Sequence, residues 1–371
     1  MHYIDAGRTG RRRFPRFRRE VRVQIGIVGF RYTGKTTLYN AITGAAAPVG
    51  QGGVEPLRAV APVPDPRLHL LAALFRPRRT VPAAVEWVDV PGLAGEGAAG
   101  AREGVRFLEH GRRMDALVQV ARCFDAGLGP YAPLTELDDL ATELALADLQ
   151  VVENRLERIA TDRRRGNKPT SPLEAVLLER FRARLEKGEP LRLEAVSADE
   201  ARSVSGFAFL TLKPLIVVLN GPETGVDPAL IAQARARGGE VVDLCARLEA
   251  EIAQLPPAEQ GEYLAELGIA EPALPRTIRA AYRALGVHSF FTVGEDECRA
   301  WTVRQGALAP EAAGVIHSDL ERGFIRAEVC ACEDLLKAGG LAEAKRANQV
   351  RLEGKGYEVR DGDVLNIRFS V

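Results

Sequence analysis

Sulfur and histidine are scarce in this chain, and charge of one sign does not dominate it. The 371 residues include five Cys, two Met and five His. The cysteines (Cys123, Cys245, Cys298, Cys330 and Cys332) are scattered and lack metal-ligand spacing, which argues against a zinc module or a paired-thiol redox centre. An odd number of thiols and no apolar leader fit a reducing cytoplasm. No segment has the run of about 20 apolar residues that a membrane helix needs. Fifty Lys and Arg balance fifty Asp and Glu, so bulk charge does not call for a polyanionic partner. Arg8–Arg22 is the local exception, with eight Arg against the single acid Glu20. It reads as a basic, unstructured extension over residues 1–20, with RNA contact as the alternative. The length allows roughly two or three domains and an ample core.

What is present is concentrated in Gly29-Phe30-Arg31-Tyr32-Thr33-Gly34-Lys35-Thr36. This run matches G-x-x-x-x-G-K-[ST], the phosphate-binding loop. Glycines let the backbone curl so that several N–H groups converge on a phosphate. Lys35 supplies a point charge for the β- and γ-phosphates, and the Thr36 hydroxyl can ligate Mg²⁺. A strand expected at Val21–Val28 precedes the loop. A helix expected from Thr36, through Thr37, follows it and turns its positive dipole end toward the anion.

Two further elements fit this loop. Asp89-Val90-Pro91-Gly92 follows an apolar strand and matches D-x-x-G. There Asp89 can hold Mg²⁺ through water, and the Gly92 N–H can sense a γ-phosphate. Asn220-Gly221-Pro222-Glu223 stands after the strand Leu215–Leu219, where guanine readers carry N-K-x-D. An Asp would accept from both N1–H and the 2-amino group of guanine. Glu223 is one methylene longer, and Gly221 replaces the Lys that covers the ring. Guanine selectivity should weaken and adenine becomes acceptable. Cys245-Ala246 takes the place of the last base-contacting turn. A GTP-specific switch is disfavoured by Glu223, and a small-molecule kinase by the GTPase-type elements around Asp89 and Asn220.

Apolar strands are expected at Val21–Val28, Val85–Val90, Ala116–Val120, Pro214–Leu219 and Glu240–Leu244. With helical patterns between them, they predict a mostly parallel α/β sheet covered on both faces. Leu149, Val152, Leu156 and Ile159, then Leu173, Leu177, Phe181 and Leu185, recur at helical spacing and predict an inserted helical hairpin. The polar Arg163–Pro172 stretch is its turn. From Ser289 onward, short strands at Phe290–Val293, Cys298–Val303 and Ile325–Cys330 alternate with helices at Pro310–Val315 and Glu333–Ala347. Leu352–Val371 reads as a hairpin turning at Asp361-Gly362-Asp363. Together these predict a small unit of the β-grasp kind.

At this point the chain resembles the Obg-like ATPase family, also called YchF, from about Val21 to Val371. The resemblance rests on long runs. They include Gly34-Lys35-Thr36-Thr37-Leu38, Pro62-Val63-Pro64-Asp65-Pro66-Arg67-Leu68, Arg122-Cys123-Phe124 and Thr142-Glu143-Leu144-Ala145-Leu146-Ala147-Asp148-Leu149. Further matches are Arg299-Ala300-Trp301-Thr302-Val303 and Arg322-Gly323-Phe324-Ile325-Arg326-Ala327-Glu328. It implies a nucleotide domain at 21–135 and 210–286, a helical insertion at 136–209, and a C-terminal TGS domain at 287–371. It also implies ATP preferred over GTP, Mg²⁺ as cofactor, a cytoplasmic location and association with the ribosome, with RNA contact through the TGS domain or Arg8–Arg22. The nucleotide-binding set carried over is Tyr32, Thr33, Gly34, Lys35, Thr36, Thr37, Gly92, Asn220, Gly221 and Glu223, with Thr36 and Asp89 as metal ligands. No membrane partner is expected.

The departures from the family concern catalysis. The family has Asn where Tyr32 stands, and Tyr cannot offer that side-chain carbonyl. Gly53 replaces a Thr expected to ligate the metal, and Gly95–Val105 keeps little of the family order. Leu93 stands where Ras-like proteins carry the water-orienting Gln; the family shares this Leu, and Leu cannot position water. The family His beyond Arg122-Cys123-Phe124 is missing from Asp125–Asp139, and His110 is the nearest candidate, more simply read as a helix-surface residue. Nucleotide binding therefore carries over better than hydrolysis, and the expected activity is that of a slow ATPase. The alternative is a catalytically degraded ribosome- or RNA-binding protein that uses nucleotide only as a structural ligand.

Overall fold

The computed structural model describes residues 23–50, 55–93, 98–127, 129–166, 172–267, 269 and 271–370. The Arg-rich segment before Val23 and Gly53 both lie outside the described residues. β1 (Gln24–Val28) ends at the phosphate loop, and α1 (Lys35–Thr43) begins inside it. β2 (Leu57–Pro62) runs into α2 (Pro66–Phe75), which starts on Asp65, whose carboxylate accepts from the Arg67 N–H. Pro66 suits the first helical position because its missing N–H has no partner there. β3 (Arg79–Val81) and β4 (Ala84–Asp89) follow, then α3 (Ala98–Arg113) and β5 (Ala116–Arg122). The insertion is α4 (Pro133–Arg164), α5 (Pro172–Leu185) and α6 (Ala198–Val204). β6 (Leu215–Asn220), α7 (Pro228–Ala236), β7 (Glu240–Leu244) and α8 (Ala246–Gln254) complete the nucleotide-side sheet.

That sheet has the order β2-β4-β1-β5-β6-β7. All neighbours are parallel except β2, which pairs antiparallel with β4 and sets Leu57 opposite Asp89. The β5 strand is buried along its whole length, as a central parallel strand covered on both faces must be. One face packs Ile25, Ile27 and Val118 under Leu38 and Ile42 of α1. The other packs Val28, Val88 and Leu117 under Phe107 of α3 and Leu140 and Leu144 of α4. The expected mostly parallel α/β architecture with a second C-terminal sheet is what the structure shows.

α9 (Pro257–Glu266) and α10 (Ala273–Ala284) lead to β8 (Val287–Thr292), β9 (Glu297–Arg304), α11 (Ala309–Ile316), α12 (Ser318–Arg322) and β10 (Phe324–Ala331). α13 (Cys332–Ala338), α14 (Leu341–Arg346), β11 (Arg351–Glu353) and β12 (Asp363–Phe369) end the chain. The second sheet has the order β11-β10-β12-β8-β9-β3. Its outermost strand, β3, comes from the first part of the chain and pairs parallel with β9, Arg79 against Glu297. α2 sits between the two sheets, and the largest core is shared by both, from Ile25 and Leu71 to Phe291 and Val364.

Several local expectations are corrected. β11 and β12 do not form a hairpin; they flank β10, each antiparallel to it. The helix expected over Glu333–Ala347 is split at Gly339 and Gly340, both at positive φ (81° and 157°). Cys332 lies beyond the strand and opens α13, and Cys330 and Cys332 are both buried. Leu173 is exposed, while Leu177, Phe181 and Leu185 form the hairpin core with Val152.

α4 is fixed to the body by one buried carboxylate. Asp148 is fully buried and accepts from Arg112 Nη1 (3.0 Å), the Leu210 N–H (3.0 Å), and the Thr211 N–H and hydroxyl (2.7 and 2.9 Å). Four donors around one carboxylate satisfy a charge that would otherwise be costly to bury.

Candidate nucleotide site

The loop between β1 and α1 is wound as its spacing requires. Gly29, Tyr32 and Gly34 have φ of 141°, 64° and 90°. A Cβ on Gly34 would lie 2.2 Å from Asn220 Nδ2, and one on Gly92 2.6 Å from Lys35 Nζ. Both positions therefore admit only glycine without displacing a site residue. Tyr32 takes the left-handed conformation without being Gly or Asn, which strains a bulky side chain by about 1 kcal/mol. Its ring is 55% exposed. Thr33 is buried and its hydroxyl donates to the Phe30 carbonyl (3.2 Å).

Lys35 and Asp89 form the charged centre. Lys35 is 7% exposed and donates to the Phe30 carbonyl at 2.5 Å. Burial pushes its ammonium down to about 8, against the attraction of Asp89 and Glu136. Thr36 donates its hydroxyl to Asp89 Oδ2 at 2.6 Å. The other oxygen, Oδ1, is buried with no partner. Burial raises the Asp89 pKa, opposed by the Thr36 hydrogen bond and by Lys35. Desolvation thus opposes the charge on both groups, and an added phosphate and cation would favour the charged form of each. Thr36 Oγ1 and Asp89 are the donors able to hold a hard cation there. No group of three or more His, Cys, Asp or Glu with metal-binding geometry occurs among the described residues.

Leu93 is anchored rather than aimed at the loop. Its N–H donates to Gly29 O (3.2 Å), its carbonyl accepts from Arg31 N (3.3 Å), and its side chain is buried against Val28, Val88 and Phe107. It has no means of orienting water. His110 is influenced by Arg113, Glu55, Arg58 and Glu109, and none of the loop residues is among its charged neighbours. Its Nδ1 is buried without a partner, and burial lowers its pKa.

Asn220 joins the loop to the far end of the sheet. Its Nδ2 donates to Thr33 O (2.9 Å) and its Oδ1 accepts from the Ala246 N–H (2.9 Å). Gly221 donates to Leu244 O (2.8 Å). Asn220 thus ties Thr33 of the loop to the turn after β7, at the C-terminal ends of parallel strands, where Thr36 also meets Asp89 and Gly92 lies against Lys35. Glu223 follows three residues on, 3.4 Å from Arg247.

Sequence reasoning passed over Glu136. In the first turn of α4, its carboxylate accepts from the Arg122 N–H (2.9 Å) and its carbonyl accepts from Gln119 Nε2 (3.1 Å). Burial raises its pKa, and Lys35 is among the charges that lower it. An acid just after Pro133 at a helix start was the available signal. Arg122 itself is 9% exposed and leaves Nη1 without a partner.

The chain is 43% identical over 359 residues to the Ribosome-binding ATPase YchF of Haemophilus ducreyi, covering 93% of this chain and 99% of that one. The chain belongs to the YchF family. The Bacillus subtilis protein of the same name is 40% identical over 362 residues, at 93% and 99% coverage. Rice Obg-like ATPase 1 is 33% identical over 365 residues, at 94% and 92%. The solved Schizosaccharomyces pombe YchF GTPase superposes with a TM-score of 0.77 at 28% identity, covering 95% of this chain and 99% of that one. The family described as "YchF-GTPase_C: Protein of unknown function (DUF933)" matches residues 287–370, the segment that supplies β8 to β12. The YchF relatives carry the P-loop NTPase fold, and this chain shares it.

Proposed function

We propose that this YchF protein is a slow, Mg²⁺-dependent ATPase that prefers ATP to GTP and works with the ribosome in the cytoplasm. The observation that carries the reading is the charged centre: a buried Lys35, the Thr36–Asp89 contact, and an unpartnered buried oxygen on Asp89. A hydroxyl and a carboxylate suit Mg²⁺, which keeps several waters and takes further ligands from phosphates. When bound, the ion would neutralise charge between the phosphates. The chain's own residues do the rest. Loop N–H groups and Lys35 would hold the phosphates, Thr36 and Asp89 would hold the ion, and Asn220 fixes the loop to the turn after β7. The ribosome assignment rests on the names of the bacterial relatives. No helix among the described residues is long and apolar enough to cross a membrane.

Hydrolysis is slow in this reading because the anchored Leu93 leaves the attacking water without a positioned acceptor. Gly53, the missing family His and the altered order of Gly95–Val105 favour a second reading in which nucleotide is only a structural ligand of a ribosome- or RNA-binding protein. Steady-state ATP hydrolysis by the wild type and by Lys35→Ala separates them. A Lys35-dependent rate that disappears with EDTA supports the ATPase. Equal background rates from both proteins support the second reading, and ribosome cosedimentation unaffected by ATP would complete it.

A further inference from the structure

The base end of the cleft has a cationic side chain that the nucleotide motifs do not account for. Gly221 occupies the position from which a Lys would cover the base. A Cβ there would lie 2.5 Å from Val226 Cγ2, so no side chain can project from this position unless Val226 moves. A cover for the base must come from another element. The turn from β7 into α8 is bound to Asn220 through the Ala246 N–H. The next residue, Arg247, places Nη2 3.4 Å from Glu223 Oε1 and Nε 3.3 Å from Glu251 Oε1. Its side chain is 76% exposed, and that of Glu223 is 55% exposed.

We infer that Arg247 is a specificity-determining residue that covers the purine and, by engaging one oxygen of Glu223, tilts the site toward adenine. This rests on the nucleotide reading above and extends it to base selection. An exposed ion pair adds little to stability, so the pair is not there to hold the fold. A planar guanidinium can lie on an aromatic face while it donates to a carboxylate, which an ammonium cannot do as well. With Oε1 drawn toward Arg247, the two oxygens of Glu223 are no longer equally free to face one base edge. Adenine presents one donor group, its 6-amino. Guanine presents two adjacent donors, N1–H and the 2-amino, and needs both carboxylate oxygens. The pair thus accepts adenine and leaves guanine half satisfied.

The test is titration of fluorescent ATP and GTP analogues, with Mg²⁺, into the full-length wild type, Arg247→Ala, Arg247→Lys and Lys35→Ala. Arg247→Ala should weaken ATP binding about fivefold to tenfold through lost stacking, and should weaken GTP less, because both Glu223 oxygens become free. The ATP-to-GTP preference therefore falls. Arg247→Lys should bind ATP almost as weakly as Arg247→Ala, since charge without a plane does not stack. Circular dichroism melts of the Arg247 variants should match the wild type. Affinities and preference within about twofold of wild type in Arg247→Ala would overturn the inference while leaving the nucleotide reading intact. Wild-type binding that is absent, or unchanged in Lys35→Ala, would instead remove the nucleotide reading and this inference with it.

Discussion

The two ends of the cleft are built on opposite principles. At the phosphate end, Thr33, Lys35 and Asp89 are all buried, and Thr36 is locked to Asp89. At the proposed base end, Glu223 and Arg247 are more than half exposed and paired with one another, Arg247 also with Glu251. Phosphate recognition requires converging N–H groups and an undamped charge, and both demand a rigid, desolvated loop. Base recognition requires a few edge contacts whose selectivity can be altered by one exposed side chain. The phosphate end should therefore tolerate almost nothing, and its residues should work against stability. The base end should be tunable at no cost to the fold.

The sharpest way to test that contrast is Lys35→Met, which removes the charge and keeps much of the volume. ATP binding should fall by at least about a hundredfold, because the β- and γ-phosphates lose their charged partner. The nucleotide-free protein should nevertheless become more stable. Burial pushes Lys35 from 10.5 down to about 8, equivalent to about 3 kcal/mol of strain at neutral pH. Losing the Lys35 hydrogen bond to the Phe30 carbonyl, which keeps the one from Thr33, returns about 1 kcal/mol of that, so the expected gain is about 2 kcal/mol. The pH dependence has a definite sign. Between about 8 and 10.5 the unfolded chain binds the proton that the folded chain has released, so wild-type stability rises with pH across that window. The advantage of Lys35→Met is full below about 8 and fades toward 10.5. Urea unfolding at neutral and alkaline pH measures it. A variant less stable than wild type at neutral pH would mean that the phosphate end is not strained by its lysine.

Asn220 joins the two ends, and its replacement asks whether they are independent. Asn220→Ala leaves both Thr33 O and the Ala246 N–H without partners. It should cost about 2–3 kcal/mol of stability and weaken ATP and GTP alike. Asn220→Asp keeps the acceptor for Ala246 but loses the donor to Thr33, and should cost less. Equal losses from both variants in urea melts would place all of the coupling in the Thr33 contact.

How far these ends were legible in sequence follows the same division. The phosphate loop could be read from Gly29 to Thr36 because each residue type is forced by local backbone geometry. Asn220 could be read because it closes an apolar strand. Contacts between distant segments were not legible. Arg79-Thr80-Val81 has no pattern of its own and becomes β3 only because β9, far along the chain, offers it an edge. β11 and β12 looked like a hairpin because they are neighbours in sequence with a turn between them, yet both prefer β10. Asp148 resembled one more charge on an amphipathic helix; its role depends on Arg112, Leu210 and Thr211, which only the fold brings to it. Glycines 339 and 340 were visible, but helical periodicity on either side masked the break they impose.

Tyr32 gives the third test, inside the phosphate end but at its exposed edge. At φ of 64° an Asn side chain is favoured several-fold over a bulky one. Tyr32→Asn should stabilise the protein by about 0.5–1 kcal/mol and restore a carbonyl at the mouth of the loop. If that carbonyl serves hydrolysis through a monovalent cation, turnover should rise and become potassium-dependent. Unchanged turnover in potassium and sodium buffers would show that the missing carbonyl does not limit hydrolysis.

Glu223→Asp should have the smallest effect on the fold, yet it bears most directly on the base end. The side chain is 55% exposed and bonded only to an exposed arginine, so thermal stability should change by less than about 0.5 kcal/mol. Shortening the chain by one methylene draws the carboxylate away from Arg247, already at 3.4 Å, and frees both oxygens. The carboxylate also moves back to the distance at which it can meet two adjacent donors. GTP affinity should rise relative to ATP by about threefold to tenfold, a shift on the scale that one imperfect hydrogen bond at a solvated rim can produce. Competition of GTP against fluorescent ATP reads the ratio directly. A preference that stays with ATP would show that Glu223 does not read the base, and that the exposed end of the cleft selects through Arg247 or through the turn at Ala246.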